Sequence, residues 1–134
     1  MDIVKPPIQH MQYMYRDQVY ADIWFNYFLT FIKVTTYSDD WLHLPFGRKP
    51  DAEVTLADLD FMLEERCFER GRSDAKQLLK SMDIPCYDPL AIVRVTNGFL
   101  IGDWEWIRFD NDPKDISLEA LQQKWLNGVN SKKI

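Results

Sequence analysis

The hydrophobic period of this chain runs from two residues to helical spacing, back to two, and then to helical again, an order that constrains the fold more than composition does. The first period-two region covers residues 11–37. MQYMYR, a break at Asp17-Gln18, VYADIWF, a tight turn at Asn26-Tyr27 and FLTFIKVTTY predict three antiparallel strands in a meander, because β-branched and aromatic residues suit a pleated surface. Alternation places Val19, Ala21, Ile23 and Phe25 on one face of the second strand, and Phe28, Ile32 and Val34 on one face of the third, both toward the core. The reverse side keeps Tyr20, Trp24, Phe31 and Tyr37. That is more aromatic area than a solvated face usually carries, so a covering layer or a partner is expected there.

Helical spacing begins after a polar loop, Ser38 to Val54, that contains the Leu44-Pro45-Phe46-Gly47 turn signal. Thr55 is an N-cap with Asp58 three residues on, and Leu56, Leu59, Met62 and Leu63 follow as a stripe reaching about Cys67. Ser73 is expected to cap a second short helix carrying Ala75, Leu78, Leu79 and Met82. Asp88-Pro89 opens a third, since proline at the first helical position loses no hydrogen bond, and Asn97-Gly98 closes it with residues that tolerate a left-handed backbone. Period two returns over 103–109. Glu105, Ile107 and Phe109 point one way and Trp104, Trp106 and Arg108 the other, with both tryptophans assigned mainly to the fold. A last helix has Ser117 as N-cap, Ile116 and Leu121 as a hydrophobic staple, Leu118, Leu121 and Trp125 as its stripe and Gly128 as terminator. The expected fold is one α+β domain. Its small, mostly antiparallel sheet carries three short helices on one face, with the last helix covering an edge or the other face, residues 1–10 as an N-terminal arm and 129–134 as a frayed C-terminus.

Composition narrows the function classes. At 134 residues, 46% hydrophobic and 28% charged, the chain can bury a core without a metal or disulfide staple. Two cysteines in a sequence without a leader-like pattern favour free thiols and a reducing cytoplasm. The apolar runs are far shorter than the ~20 residues a membrane-crossing helix needs. A net charge of -5 disfavours nucleic acid as a direct ligand, because grip on a phosphate backbone comes from Lys and Arg, and points instead to a protein partner with a basic surface.

Chemistry-bearing motifs are sparse. His10 and His43 fall in the expected arm and a loop, with no nucleophile signature beside them, and Cys67 and Cys86 lack zinc-type spacing. Asp110 to Asp115 alternates oxygens like a calcium loop but has Lys114 where a ligand belongs and Leu121 at the closing acid position. No glycine-rich phosphate loop is present, and no cofactor is expected. Two surface clusters remain. Arg66, Arg70 and Arg72 lie near the start of the second helix, where free N–H groups favour an anion, although Glu64, Glu65, Glu69 and Asp74 are interleaved and can neutralise them. Asp58, Asp60, Glu64 and Glu65 lie largely off the apolar stripe of the first helix and are the candidate contacts for a basic partner.

From LPFG through RCFERGR, YDP and TNG to WEWIRF, the chain resembles a family of small uncharacterised proteins from Firmicutes genomes and their mobile elements. The residues carrying the resemblance are Leu44 to Gly47, Arg66 to Phe68, Arg70, Arg72, Tyr87 to Pro89, Thr96, Gly98, Asp103 and Trp106 to Phe109. Glu69 and Asn97 depart from a proline and a histidine in that pattern. A looser version occurs in small proteins found beside HipA-like kinases, so the resemblance implies mobile-element biology and a protein partner, with no catalytic role to transfer. The functional expectation is a non-enzymatic acidic binding module from a phage or mobile element, inhibiting a host-defence nucleic-acid enzyme as anti-CRISPR proteins do. The alternatives are an antitoxin-like or regulatory partner of a HipA-like kinase and a cryptic hydrolase.

Overall fold

A computed structural model of the chain describes residues 7–131, with side chains through residue 125. Four strands, β1 (Gln9–Tyr15), β2 (Gln18–Asn26), β3 (Phe31–Thr36) and β4 (Glu105–Phe109), form one antiparallel sheet in the order β3-β2-β1-β4. The helices are α1 (Leu56–Glu65), α2 (Ala75–Ser81), α3 (Pro89–Thr96) and α4 (Leu118–Ser131). The molecule is α+β, as its periodicities predict.

One face of the sheet holds the larger core. Met11, Tyr13, Ala21, Ile23, Phe25, Val34, Ile107 and Phe109 pack with Leu59, Met62 and Leu63 of α1 and Ile92 and Val93 of α3. The opposite face has a smaller core at one end only, where Met14 and Trp106 meet Phe99 and Leu118 and Leu121 of α4, with Val19, Ile116 and Trp125 at its margin. The boundary between the two traces to a β-bulge. Tyr13 pairs with Ala21 but Met14 pairs with Val19, which leaves Tyr20 as an extra residue on β2 and turns Val19 to the face opposite the one its alternation predicts. Tyr20 is correspondingly buried and lies against Tyr15, at 5.2 Å between ring centroids, rather than on the spare aromatic face.

Several expected features move. The β2–β3 connection is a four-residue loop, Tyr27 to Thr30, stabilised by Leu29 N–H donating to Asn26 Oδ1 at 2.8 Å, so Phe28 lies in the loop and is exposed instead of core. β1 begins at Gln9 and takes in two residues assigned to the arm. β4 begins at Glu105, which puts Trp104 outside the strand, 44% exposed under the Arg16 guanidinium, while Trp106 is fully buried. Asp74, not Ser73, precedes α2 and makes no side-chain cap bond. α4 runs through Gly128 to Ser131, so that glycine does not end it, and residues 132–134 of the expected fray lie outside the described residues. The remaining caps are as read: the Thr55/Asp58 capping box, Asp88 before Pro89, left-handed Asn97 after α3, and Ser117 Oγ accepting from Ala120 N–H. Among the described residues no helix is long and apolar enough to cross a membrane.

Candidate functional site

Between α1 and the Trp41–Gly47 segment lies a groove of about 570 Å³. Its loop wall is built by local chemistry. Trp41–His43 forms a single 3-10 turn, and Gly47 takes φ +60°, a left-handed conformation that lets its N–H return to Leu44 C=O at 3.3 Å and aims Phe46 back at the core. The helix wall is the Asp58, Phe61, Met62 and Glu65 face of α1, residues three or four apart and therefore on one side. Phe61, Leu42 and Trp41 are 68%, 67% and 42% exposed, a concentration of apolar surface that folding alone leaves uncovered.

The floor is polar and tightly bonded. Tyr13 O–H donates to Glu105 Oε1 at 2.6 Å, and His43 Nδ1 lies 3.3 Å from Glu105 Oε2 while its ring stacks on Tyr15 at 4.1 Å. Burial drives the Tyr13 hydroxyl far above its ordinary pKa, the nearby Arg66 charge opposing and Glu105 adding to the rise, so it remains a donor throughout the physiological range. Arg66 closes the floor. Its Nε donates to Gly98 C=O at 3.0 Å, one terminal nitrogen to Asp103 Oδ2 at 2.6 Å and the other to Glu105 C=O at 2.6 Å. This guanidinium ties the end of α1 to the start of β4.

The expected surface clusters separate accordingly. Arg66 is buried and spent on that clamp, which removes it from the anticipated anion cluster. Arg70 pairs with Glu64 at 3.6 Å and lies over the Tyr87 ring, and Arg72 pairs with Asp74 at 2.5 Å, so the arginines do not converge. Among the acids, Asp58 is committed to the Thr55 cap and to Lys49 at 2.7 Å, and Asp60 accepts the Tyr27 hydroxyl at 2.6 Å. Glu65 lines the groove with no ion-pair partner among the described residues. Asp58 and Glu65 therefore face the groove, and Glu64 faces the Arg70 side of α1.

Sequence reading missed Trp41, Leu42, Phe61, Tyr13 and Glu105 as site residues. Phe61 carried a usable signal, being a large apolar residue off the stripe of its own helix. Tyr13 and Glu105 carried none, because ninety-two positions separate them and only the β1–β4 pairing joins them. Comparison with protein-family models, with curated proteins and with solved structures returns no match.

Proposed function

We propose that the chain is a protein-binding module, and that the groove between α1 and Trp41–Gly47 receives a partner segment with an apolar side chain flanked by basic residues. The observation that carries this is the exposure of Phe61 beside Leu42 and Trp41, with the carboxylate of Glu65, unpaired among the described residues, at their margin. Aromatic residues bordering a concavity supply most of the binding energy in protein interfaces, and rim acids steer a basic partner toward them. The net charge of -5 adds long-range attraction of the same sign. The residues that carry the family resemblance support the same place, since Leu44 to Gly47 form the loop wall and Arg66, held by Asp103, lies in the floor. In its sharper form the partner is a nucleic-acid-handling enzyme of host defence whose phosphate channel the module occupies; the rival form is a HipA-like kinase.

The test is pull-down from the native host followed by affinity measurements on the recovered partner. Phe61→Ala is expected to weaken binding by about 30-fold, equivalent to about 2 kcal/mol. Raising the salt should weaken it further, since rim charges are screened over about 8 to 10 Å. Full affinity in Phe61→Ala, or the absence of any salt dependence, would move the interface elsewhere. A hydrolytic reading draws on one observation, His43 beside the groove-lining Glu105; ester turnover abolished by His43→Ala would favour it over binding.

A further inference from the structure

The half of the outer sheet face that α4 leaves uncovered carries a cross-strand polar network centred on His10. Its Nε2 lies 2.6 Å from Asp22 Oδ1 on β2, and its Nδ1 lies 2.5 Å from Asp110 Oδ1 in the β4–α4 loop. Asp22 is buried and also accepts from Tyr37 O–H and from Gln12 Nε2, whose own Oε1 accepts from Arg108 Nε at 2.9 Å. Trp24 stacks on the imidazole at 5.2 Å, and Lys33 lies over the Trp24 ring. His10, Arg108, Asp110, Asp112 and Lys114 line a cleft of about 300 Å³ between the start of β1 and the loop.

A neutral imidazole has one N–H and one lone pair. With a carboxylate oxygen within 2.6 Å of each ring nitrogen, the neutral ring can satisfy one of them and must present its lone pair to the other. Only the imidazolium donates to both. We propose that His10 is a proton-dependent clamp that holds the β4–α4 loop to the sheet, closed while the ring is charged and released at Asp110 when the ring loses its proton.

Asp110 is the side that releases, because its carboxylate is mostly in water whereas that of Asp22 is buried and held by Tyr37 and Gln12 as well. Asp112 keeps its own bonds, accepting from Phe109 N–H and Asn97 Nδ2, so the movement is confined to the Asp110 end and the mouth of the cleft. The charges around the ring agree. Burial opposes the imidazolium, and the hydrogen bonds and charges of Asp110 and Asp22 outweigh it, leaving the His10 pKa above its ordinary 6.5. Arg108 is held off by Gln12, Lys33 by Trp24, and Arg94 of α3 packs beyond Phe109 and bonds Gln9. A raised pKa means the clamp contributes fully below 6.5 and is lost as pH rises through the folded-state value.

The experiment follows the His10 ring and the backbone amides of residues 110–115 by NMR on the full chain across pH 5 to 9. The ring midpoint is expected above 6.5, with the loop amides titrating at that same midpoint. Asp110→Asn, at an exposed position, should lower the ring midpoint by about one unit and uncouple the loop amides while leaving the rest of the spectrum unchanged. His10→Gln should abolish the loop titration. A wild-type midpoint at or below 6.5, loop amides that do not follow the ring, or an unshifted midpoint in Asp110→Asn would each overturn the clamp.

Discussion

A Cβ on Gly98 would stand 3.3 Å from Ile107 Cδ1 and 3.4 Å from Arg66 Cβ, on a backbone held at φ +62°. Both the left-handed conformation and the crowding arise from one arrangement, in which left-handed Asn97 ends α3 and its C=O accepts Ile107 N–H at 2.7 Å, drawing β4 onto the turn. Gly98→Val is therefore expected to cost about 2 kcal/mol, read as a lowered melting temperature; an unchanged one would mean the turn is not rigid. The tryptophans separate by the same kind of measurement. Trp106 is fully buried and donates through Nε1 to Arg16 C=O at 2.5 Å, so Trp106→Ala should cost about 3 to 5 kcal/mol. Trp104→Ala, at a half-exposed site, should change stability by no more than about 1 kcal/mol. Thiol chemistry distinguishes the cysteines. Burial, with the nearby Glu64 and Asp88 charges, pushes the Cys67 thiol up to about 12 against the opposing charge of Arg66, whereas Cys86 is exposed. An aromatic disulfide reagent at neutral pH should label one thiol in the native protein and a second only after denaturation.

At the scale of elements, α1 serves two ends at once. Its N-terminus is secured by the reciprocal Thr55/Asp58 box and its C-terminus by the Arg66 clamp, so the exposed face between them is free to carry Phe61 and Glu65 without weakening the helix. Thr55→Ala should lower stability by about 1 kcal/mol through the lost cap. Reversing Asp58 or Asp60 disturbs structural bonds, to Thr55 and Lys49 or to Tyr27, and cannot serve as a clean test of surface charge. The double variant Glu64→Lys, Glu65→Lys, with exposed side chains, should keep its circular dichroism spectrum while losing affinity for a basic partner, more so at low salt. Retained affinity at low salt would remove the acidic rim from the interface.

Across the whole molecule, besides Asp58 in the α1 cap, two carboxylates link stability to acid. Burial raises both, but the hydrogen bonds of Tyr37, His10 and Gln12 to Asp22 outweigh it, as do the bond and charge of Arg66 on Asp103, so each folded-state pKa lies below the ordinary 3.8. A depressed pKa stabilises above the unfolded value and is lost as pH falls through the folded one. Chemical denaturation at successive pH values should therefore show stability falling steeply below about pH 4. Asp103→Asn should flatten that fall, since its partner Arg66 joins α1 to β4. An acid limb of equal steepness in the variant would place the responsible groups elsewhere.

Elements with local causes were legible in the residues themselves: the caps at Thr55, Asp88 and Ser117, the left-handed Asn97-Gly98 stop, the stripes of α1 and α4 and the period-two strands all depend on neighbours within a turn or a pleat. Where the sequence misled, distant pairing was decisive. The extra residue at Tyr20 exists only relative to β1, and it sends Val19 to the outer face and Tyr20 inward, which no alternation count along β2 can reveal. Sheet order brings Tyr13 to Glu105 and His10 to Asp110, one hundred positions away, so a histidine assigned to an arm becomes the centre of a network. The same folding took Arg66 out of the cluster read as an anion site, because a buried guanidinium must be paired and Asp103 and two carbonyls supply the pairing, while Arg70 and Arg72 pair at the surface with Glu64 and Asp74. Local free-energy preferences choose the elements, while long-range register decides which polar groups meet, and in this chain the candidate groove and the His10 network are both products of that register.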